Sequence, residues 1–145
     1  MSEAESTINE PISDDVSFDV EVRVAATPQH LSAIRAVAAD LAMRADFDLD
    51  AIADLKLAVD EACSTLVMHA ASGTELSCAF RCTPDEIAVR AVVPSADGTP
   101  PRRDTFSWRV LSTLADFVTA SVSRDGTPTR VRIDLVKKRT TVVNA

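Results

Sequence analysis

Glu61, Thr65 and His69 recur at four-residue spacing within the stretch Asp54–Ala70, DLKLAVDEACSTLVMHA, and set a carboxylate, a hydroxyl and an imidazole in one line. A carboxylate accepts a proton, a hydroxyl ligates a hard cation, and an imidazole moves protons near neutral pH. Each group also has a structural use. A carboxylate pairs in a core, a Thr bonds back to a helix carbonyl, and a His satisfies a carbonyl at a helix end. Unpaired buried polar groups are costly, so the line either borders a cleft or is tied up inside the fold.

The element that positions them is a helix. The stretch has no Pro or Gly for seventeen residues, and Leu55, Val59, Ala62, Leu66 and Ala70 form one apolar face. Leu57, Val67 and Met68 make its other sides apolar too, which predicts a helix in the middle of the domain. Upstream, Phe18, Val20, Val22 and Val24 alternate with polar residues as a half-buried strand. Thr27 and Pro28 open another helix, with Leu31, Ile34, Val37, Ala38 and Leu41 facing inward to about Arg44. Asp46, Asp48 and Asp50 resemble the start of a calcium loop. Ala51 and Leu57 stand where that loop needs Gly and Glu, so Asp48 or Asp50 reads as a helix cap instead.

Downstream, Leu76, Cys78, Phe80 and Cys82, then Ile87, Val89, Ala91 and Val93, alternate across a Pro84-Asp85 turn as a hairpin. A proline-rich loop over 94–104 follows, and Phe106, Val110, Leu114 and Phe117 space a short helix. Val118, Ala120 and Val122, then Val131, Ile133 and Leu135, read as two last strands about an Asp125-Gly126 turn. The order β-α-α-β-β-α-β-β predicts a mixed sheet with helices on one face. A disordered acidic tail is expected over 1–16, a single domain over 17–137 and a C-terminal tail over 138–145.

Composition narrows the function. Of 145 residues, 46% are apolar, and no run approaches a membrane span or a signal peptide, which places the chain in the cytoplasm. Cys63, Cys78 and Cys82 form no CxxC pair; Cys78 and Cys82 lie about 13 Å apart on a strand and are expected to be reduced core thiols. The net charge of −7 is concentrated at the start: six acidic and no basic residues precede residue 21, leaving 16 acidic and 15 basic groups beyond it. An acidic chain without a basic patch fits a protein or small-molecule partner and disfavours nucleic acid.

LAVDEACSTLVMHA resembles the N box of the histidine-kinase-like ATPases (the GHKL superfamily), in the form found in anti-sigma factor serine kinases of the RsbW type. FSWRVLSTLADFV is similar to the actinobacterial anti-sigma F subgroup. The resemblance covers residues 17–137. It implies a two-layer α/β sandwich of the Bergerat type, with a mixed, mainly antiparallel sheet. It further implies an ATP–Mg site and a homodimer in a stress-response partner switch. In that switch the chain sequesters a sigma factor until a small STAS-type antagonist competes for it, and phosphorylation of the antagonist on Ser breaks their contact.

Position by position, the resemblance gives Glu61 the role of general base or orienter. It puts Thr65 where the family has a Mg-binding Asn, and matches His69 to the N-box His. Asp97 and Gly98 fall at the first glycine box, whose Asp reads the adenine amino group. Thr105 and Ser107 fall at the second box. Arg35 matches an Arg that touches both sigma factor and antagonist in relatives. The departures bear on chemistry: Pro100 or Pro101 replaces a glycine and has no N–H to give phosphate, and Phe106 sits where a Gly-x-Gly is usual. The chain has only three glycines. The expectation is an anti-sigma factor that sequesters a sigma F-like subunit with a degenerate, weak ATP–Mg site. The alternative is an active serine kinase using Glu61 as its base. Phe106 and Trp108 read either as partner anchors or as filling for the volume ATP takes in relatives.

Overall fold

Period-two alternation builds a five-stranded sheet, and the computed structural model describes it over residues 12–124, 126 and 128–140. The strands are β1 (Val20–Ala25), β2 (Glu75–Cys82), β3 (Glu86–Pro94), β4 (Phe117–Ser123) and β5 (Arg130–Lys138), side by side in the order β1-β2-β3-β5-β4. All four pairings are antiparallel, so the parallel component expected of a mixed sheet is missing among the described strands. The connection from β3 to β4 carries a helix and delivers β4 to the sheet edge. β5 then returns between the two and is antiparallel to both.

The helices are α1 (Leu31–Arg44), α2 (Leu49–His69) and α3 (Phe106–Leu114), and the element order is the one the sequence predicts. Asp48 Oδ1 accepts from the Ala51 amide at 2.8 Å and starts α2 five residues before Asp54, which accounts for one aspartate of the calcium-like run. Thr27 makes no such cap. The chain winds through a short 3₁₀ turn at Pro28–His30 before α1, and the Thr27 hydroxyl is buried without a partner.

The core lies between helices and sheet. Leu55, Val59, Ala62 and Leu66 of α2 are buried against Leu76, Cys78 and Phe80 of β2 and Val89, Ala91 and Val93 of β3. Full burial of each large aliphatic side chain contributes about 1.5–3 kcal/mol, so this stripe fixes the rotation of α2 and with it the direction of Glu61. In α3 the apolar spacing misleads. Leu111 is fully buried and Trp108 and Leu114 pack beside it, while Phe106 is 79% and Phe117 46% exposed.

The opposite face of the sheet has its own small cluster, Ile12 with Ala88 and Val136, joined by Val16 and Phe18. Among the described residues Ile12 and Val16 already pack here, and Phe18 turns to this outer face, out of the alternation that places Val20, Val22 and Val24 inside. Buried here is Asp134, bridged by Arg90 Nε at 3.0 Å and Nη2 at 3.1 Å. The Arg90 guanidinium also lies 5.3 Å from the Phe18 ring centre and donates to the carbonyls of Ile12 and Ser13. At the other end β5 runs to Lys138, one residue past the expected boundary. The rest of the two predicted tails, residues 1–11 and 141–145, lies outside the described residues.

Candidate functional site

The second half of α2 carries the site. Its buried stripe turns Glu61, Thr65 and His69 to a half-buried flank where α3 and the loop after β3 converge. Thr105 caps α3 by accepting from the Trp108 amide at 3.1 Å, which sets Ser107 facing α2. Ser107 Oγ donates to Glu61 Oε2 at 2.5 Å, a short charge-assisted bond between residues far apart in sequence. Thr65 Oγ1 donates to the Glu61 carbonyl at 2.9 Å and lies 3.2 Å from Ser107 Oγ. Each hydroxyl has one proton, and both protons are committed to Glu61, so the two oxygens face each other as acceptors.

His69 Nδ1 lies 3.0 Å from the Thr65 carbonyl, which fixes the proton on Nδ1 because a carbonyl only accepts. The end of α2 is then sewn to the loop: the Ala96 amide donates to the His69 carbonyl at 3.0 Å and the Ala71 amide to the Pro94 carbonyl at 2.9 Å. The imidazole sits close enough to Asp97 to help hold that carboxyl below its ordinary range. The larger cause is hydrogen bonding from Thr99, whose amide reaches Asp97 Oδ1 at 2.9 Å.

The loop is folded on itself. Ser95 Oγ accepts from the amides of Asp97 at 3.1 Å and Gly98 at 2.5 Å. Gly98 has φ +74°, which glycine adopts without strain, and a Cβ there would lie 3.0 Å from Arg124 Nη1 at the movable end of that side chain. Arg124 Nη2 donates to the Gly98 carbonyl at 3.0 Å and ties the loop to the end of β4. Pro101 is buried, and Arg103 donates to the Ala120 carbonyl while its guanidinium stacks 5.5 Å from the Trp108 ring centre. The aromatic pair thus divides: Trp108 packs on the core and Phe106 stands in solvent.

The structure brings together Glu61, Thr65 and Ser107 in one contact set, and His69, Asp97 and Gly98 in a second along the same flank. Thr105 serves α3 as its cap. Arg35 is elsewhere: Nη1 meets Asp60 Oδ1 at 2.8 Å and joins α1 to α2 with both side chains partly exposed. Sequence reasoning missed Asp60 and Ser95. The second was findable, since Ser opens turns by accepting from the amide two residues on, as Ser95 does from Asp97.

Phosphate needs N–H groups that point outward. Here the amides of residues 97, 98 and 99 are consumed by Ser95 and Asp97, and the two residues after Thr99 are prolines, neither of which has an N–H to offer; Pro101 is also buried. Among the described residues no group of three or more His, Cys, Asp and Glu side chains is placed to hold a metal ion. A hard cation would find one carboxylate, Glu61, and the two facing hydroxyls. These residues do not fit a firmly gripped triphosphate in this conformation.

Comparison with known proteins gives the lineage. The profile of the histidine kinase-like ATPase domain matches residues 24–135. The chain is 36% identical over 99 residues to the anti-sigma-F factor RsbW of Mycobacterium tuberculosis (strain H37Rv), covering 68% of this chain and 59% of that protein. It is 41% identical over 51 residues to the serine-protein kinase RsbW of Bacillus subtilis (strain 168), covering 35% of this chain and 32% of that one. The chain therefore spans less than two thirds of the length of the relatives it matches. No helix among the described residues is long and apolar enough to cross a membrane. The sandwich order, the α2 flank and the match over residues 24–135 lead to one conclusion: this chain belongs to the histidine kinase-like ATPase domain family, whose fold is a nucleotide-binding one.

Proposed function

We propose that this chain is an anti-sigma factor that sequesters an alternative, sigma F-like subunit by surface complementarity, is released by a STAS-type antagonist, and holds ATP and Mg only weakly. The support is the similarity to the Mycobacterium anti-sigma-F factor together with one observation: the loop amides that would cradle phosphate are closed onto Ser95 and Asp97. On this reading α1 is the docking helix. Leu31, Ile34 and Ala38 fill its core side, and Arg35 with Asp60 presents a charge pair at the rim, where complementarity sets partner choice more than stability. Glu61, Thr65 and Ser107 then act as a latch holding α3 on α2.

A second reading is an active serine kinase, and one contact favours it. Glu61 already accepts a proton-sharing bond from a serine hydroxyl at 2.5 Å, the interaction a general base offers an attacking substrate serine. The Bacillus relative is named a serine-protein kinase. The two readings separate in one experiment: labelled ATP, the chain, a candidate antagonist and a candidate sigma factor. Sequestration predicts a stable complex with the sigma factor without nucleotide and no phosphoserine on the antagonist. Nucleotide-dependent phosphoserine formation, abolished by Glu61→Gln, would establish the kinase instead.

A further inference from the structure

The outer face of the sheet holds a cavity of about 590 Å³ on the side away from the α2 flank. It is lined by Arg90 of β3, Arg124, and Arg130 and Arg132 of β5, with Asp14 the one carboxylate on its wall. A chain with net charge −7 thus assembles a basic hollow, which no run of sequence announces because the arginines come from separate segments. Two of them are already committed: Arg90 to buried Asp134, and Arg132 to Asp14 at 2.9 Å and Asp134 at 3.4 Å. Arg124 bonds a carbonyl, and neither Arg124 nor Arg130 meets a carboxylate among the described residues. Arg130 also borders an adjoining hollow toward β1, where Glu21 and Glu75 balance Arg23 and Arg130, so the positive charge is confined to the first cavity.

The described chain begins at the rim of this cavity. Arg90 Nη2 donates to the carbonyls of Ile12 and Ser13 at 3.3 Å, and Asp14 reaches Arg132. These contacts show how the groove holds polypeptide: guanidinium to main-chain carbonyl, and guanidinium to carboxylate. The eleven residues immediately upstream carry Glu3, Glu5 and Glu10 and no Lys or Arg. At roughly 3.3 Å per extended residue they have ample reach to cross the hollow.

We infer that this outer-face groove is a binding site for an acidic, extended polypeptide, and that its resident occupant is the chain's own segment 1–11. The attraction is between exposed charges, so it is screened by salt and tuned by Arg130. Tethering supplies an effective concentration in the millimolar range, so the segment excludes weaker acidic competitors from outside.

The test uses the full chain and a labelled synthetic peptide of residues 1–11, read by fluorescence anisotropy at low and at physiological salt. Three proteins are compared: the unaltered chain, the chain with Glu3→Gln, Glu5→Gln and Glu10→Gln, and that triple variant with Arg130→Glu added. Circular dichroism checks that each is folded. The peptide is expected to bind the triple variant in a salt-sensitive way, to bind the unaltered chain at least about tenfold more weakly because the tethered segment competes, and to lose most of its affinity with Arg130→Glu. Equal binding to the unaltered chain and the triple variant would overturn the assignment of the occupant. Absence of binding to the triple variant, or binding indifferent to Arg130→Glu, would overturn the site itself.

Discussion

The Glu61–Ser107 bond offers the sharpest quantitative test of how α3 is held. A hydrogen bond to a charged group contributes about 1.5–3 kcal/mol, and partial exposure of both residues brings this one to about 1–2 kcal/mol. Ser107→Ala deletes the donor and should cost that amount. Glu61→Gln keeps a neutral acceptor for the serine proton and should cost only about 0.5–1 kcal/mol. Glu61→Ala combined with Ser107→Ala should be less harmful than the two changes added, with a coupling of about 1–2 kcal/mol. For a chain of 145 residues each kcal/mol moves the melting midpoint by about 3–4 °C, so urea and thermal unfolding both resolve the cycle. A coupling below about 0.3 kcal/mol, the ordinary scatter of independent sites, would show that the latch does not bear on stability. The same variants carry the functional arm. A sequestering protein should keep its sigma-factor affinity within about twofold in Glu61→Gln.

Four further perturbations follow from other contacts. Asp134→Ala leaves Arg90 nearly buried without its carboxylate and should cost about 3–5 kcal/mol in urea unfolding; a loss under about 1 kcal/mol would mean that water or Asp14 replaces the partner. Arg35→Glu breaks a partly exposed pair worth about 0.2–1 kcal/mol, so the fold should survive while calorimetry shows weakened sigma binding; unchanged affinity would remove α1 from the interface. Asp97 is held below the ordinary range by Thr99 and, less, by His69. The bonded loop is therefore favoured above the unfolded carboxyl's pKa of about 3.9 and is lost as pH falls through the lower folded value. An NMR titration of the Thr99 amide should show a midpoint under about 3.9, and a midpoint at or above it would contradict the contact. The Cys78 thiol is pushed well up by its hydrogen bond with Cys63 and by burial, and half-buried Cys82 is raised more modestly by burial and Asp19. Native alkylation at neutral pH should reach Cys82 slowly and leave Cys63 and Cys78 untouched; equal labelling of all three would show that the core opens.

Local pattern and tertiary contact divide what the sequence discloses here. Alternation alone located β2, β3, β4 and β5, because side chains on a strand have only two directions and the inward set is large and apolar. The helical stripe of α2 was equally plain, and so were the structural uses of its Thr and His, since bonding to a carbonyl one turn back needs no partner from elsewhere. Phe106 and Phe117 misled because a nine-residue helix offers too few turns for spacing to outvote the cap, and Thr105 sets the rotation that buries Leu111. Ile12 was lost in an acidic stretch because its pocket, Ala88 and Val136, comes from two distant strands.

The site illustrates the same division in its chemistry. Departures from the family's glycines are visible as residue types, and on the proposed reading they cost phosphate some of its donors. They do not say what becomes of the donors that remain. That answer lies in Ser95, whose hydroxyl takes two amides, and in Asp97, whose carboxylate takes a third. An erosion read from the prolines alone would leave the loop open and recoverable by restoring glycine. With the amides internally satisfied, phosphate has to displace Ser95 and Asp97 before it gains anything. Replacing Pro100 and Pro101 by Gly should therefore fail to restore tight nucleotide binding unless Ser95→Ala is added, and a thermal shift with ATP and Mg distinguishes the two cases. A large shift from the glycine pair alone would show that the missing N–H groups, and not the closed loop, had set the limit.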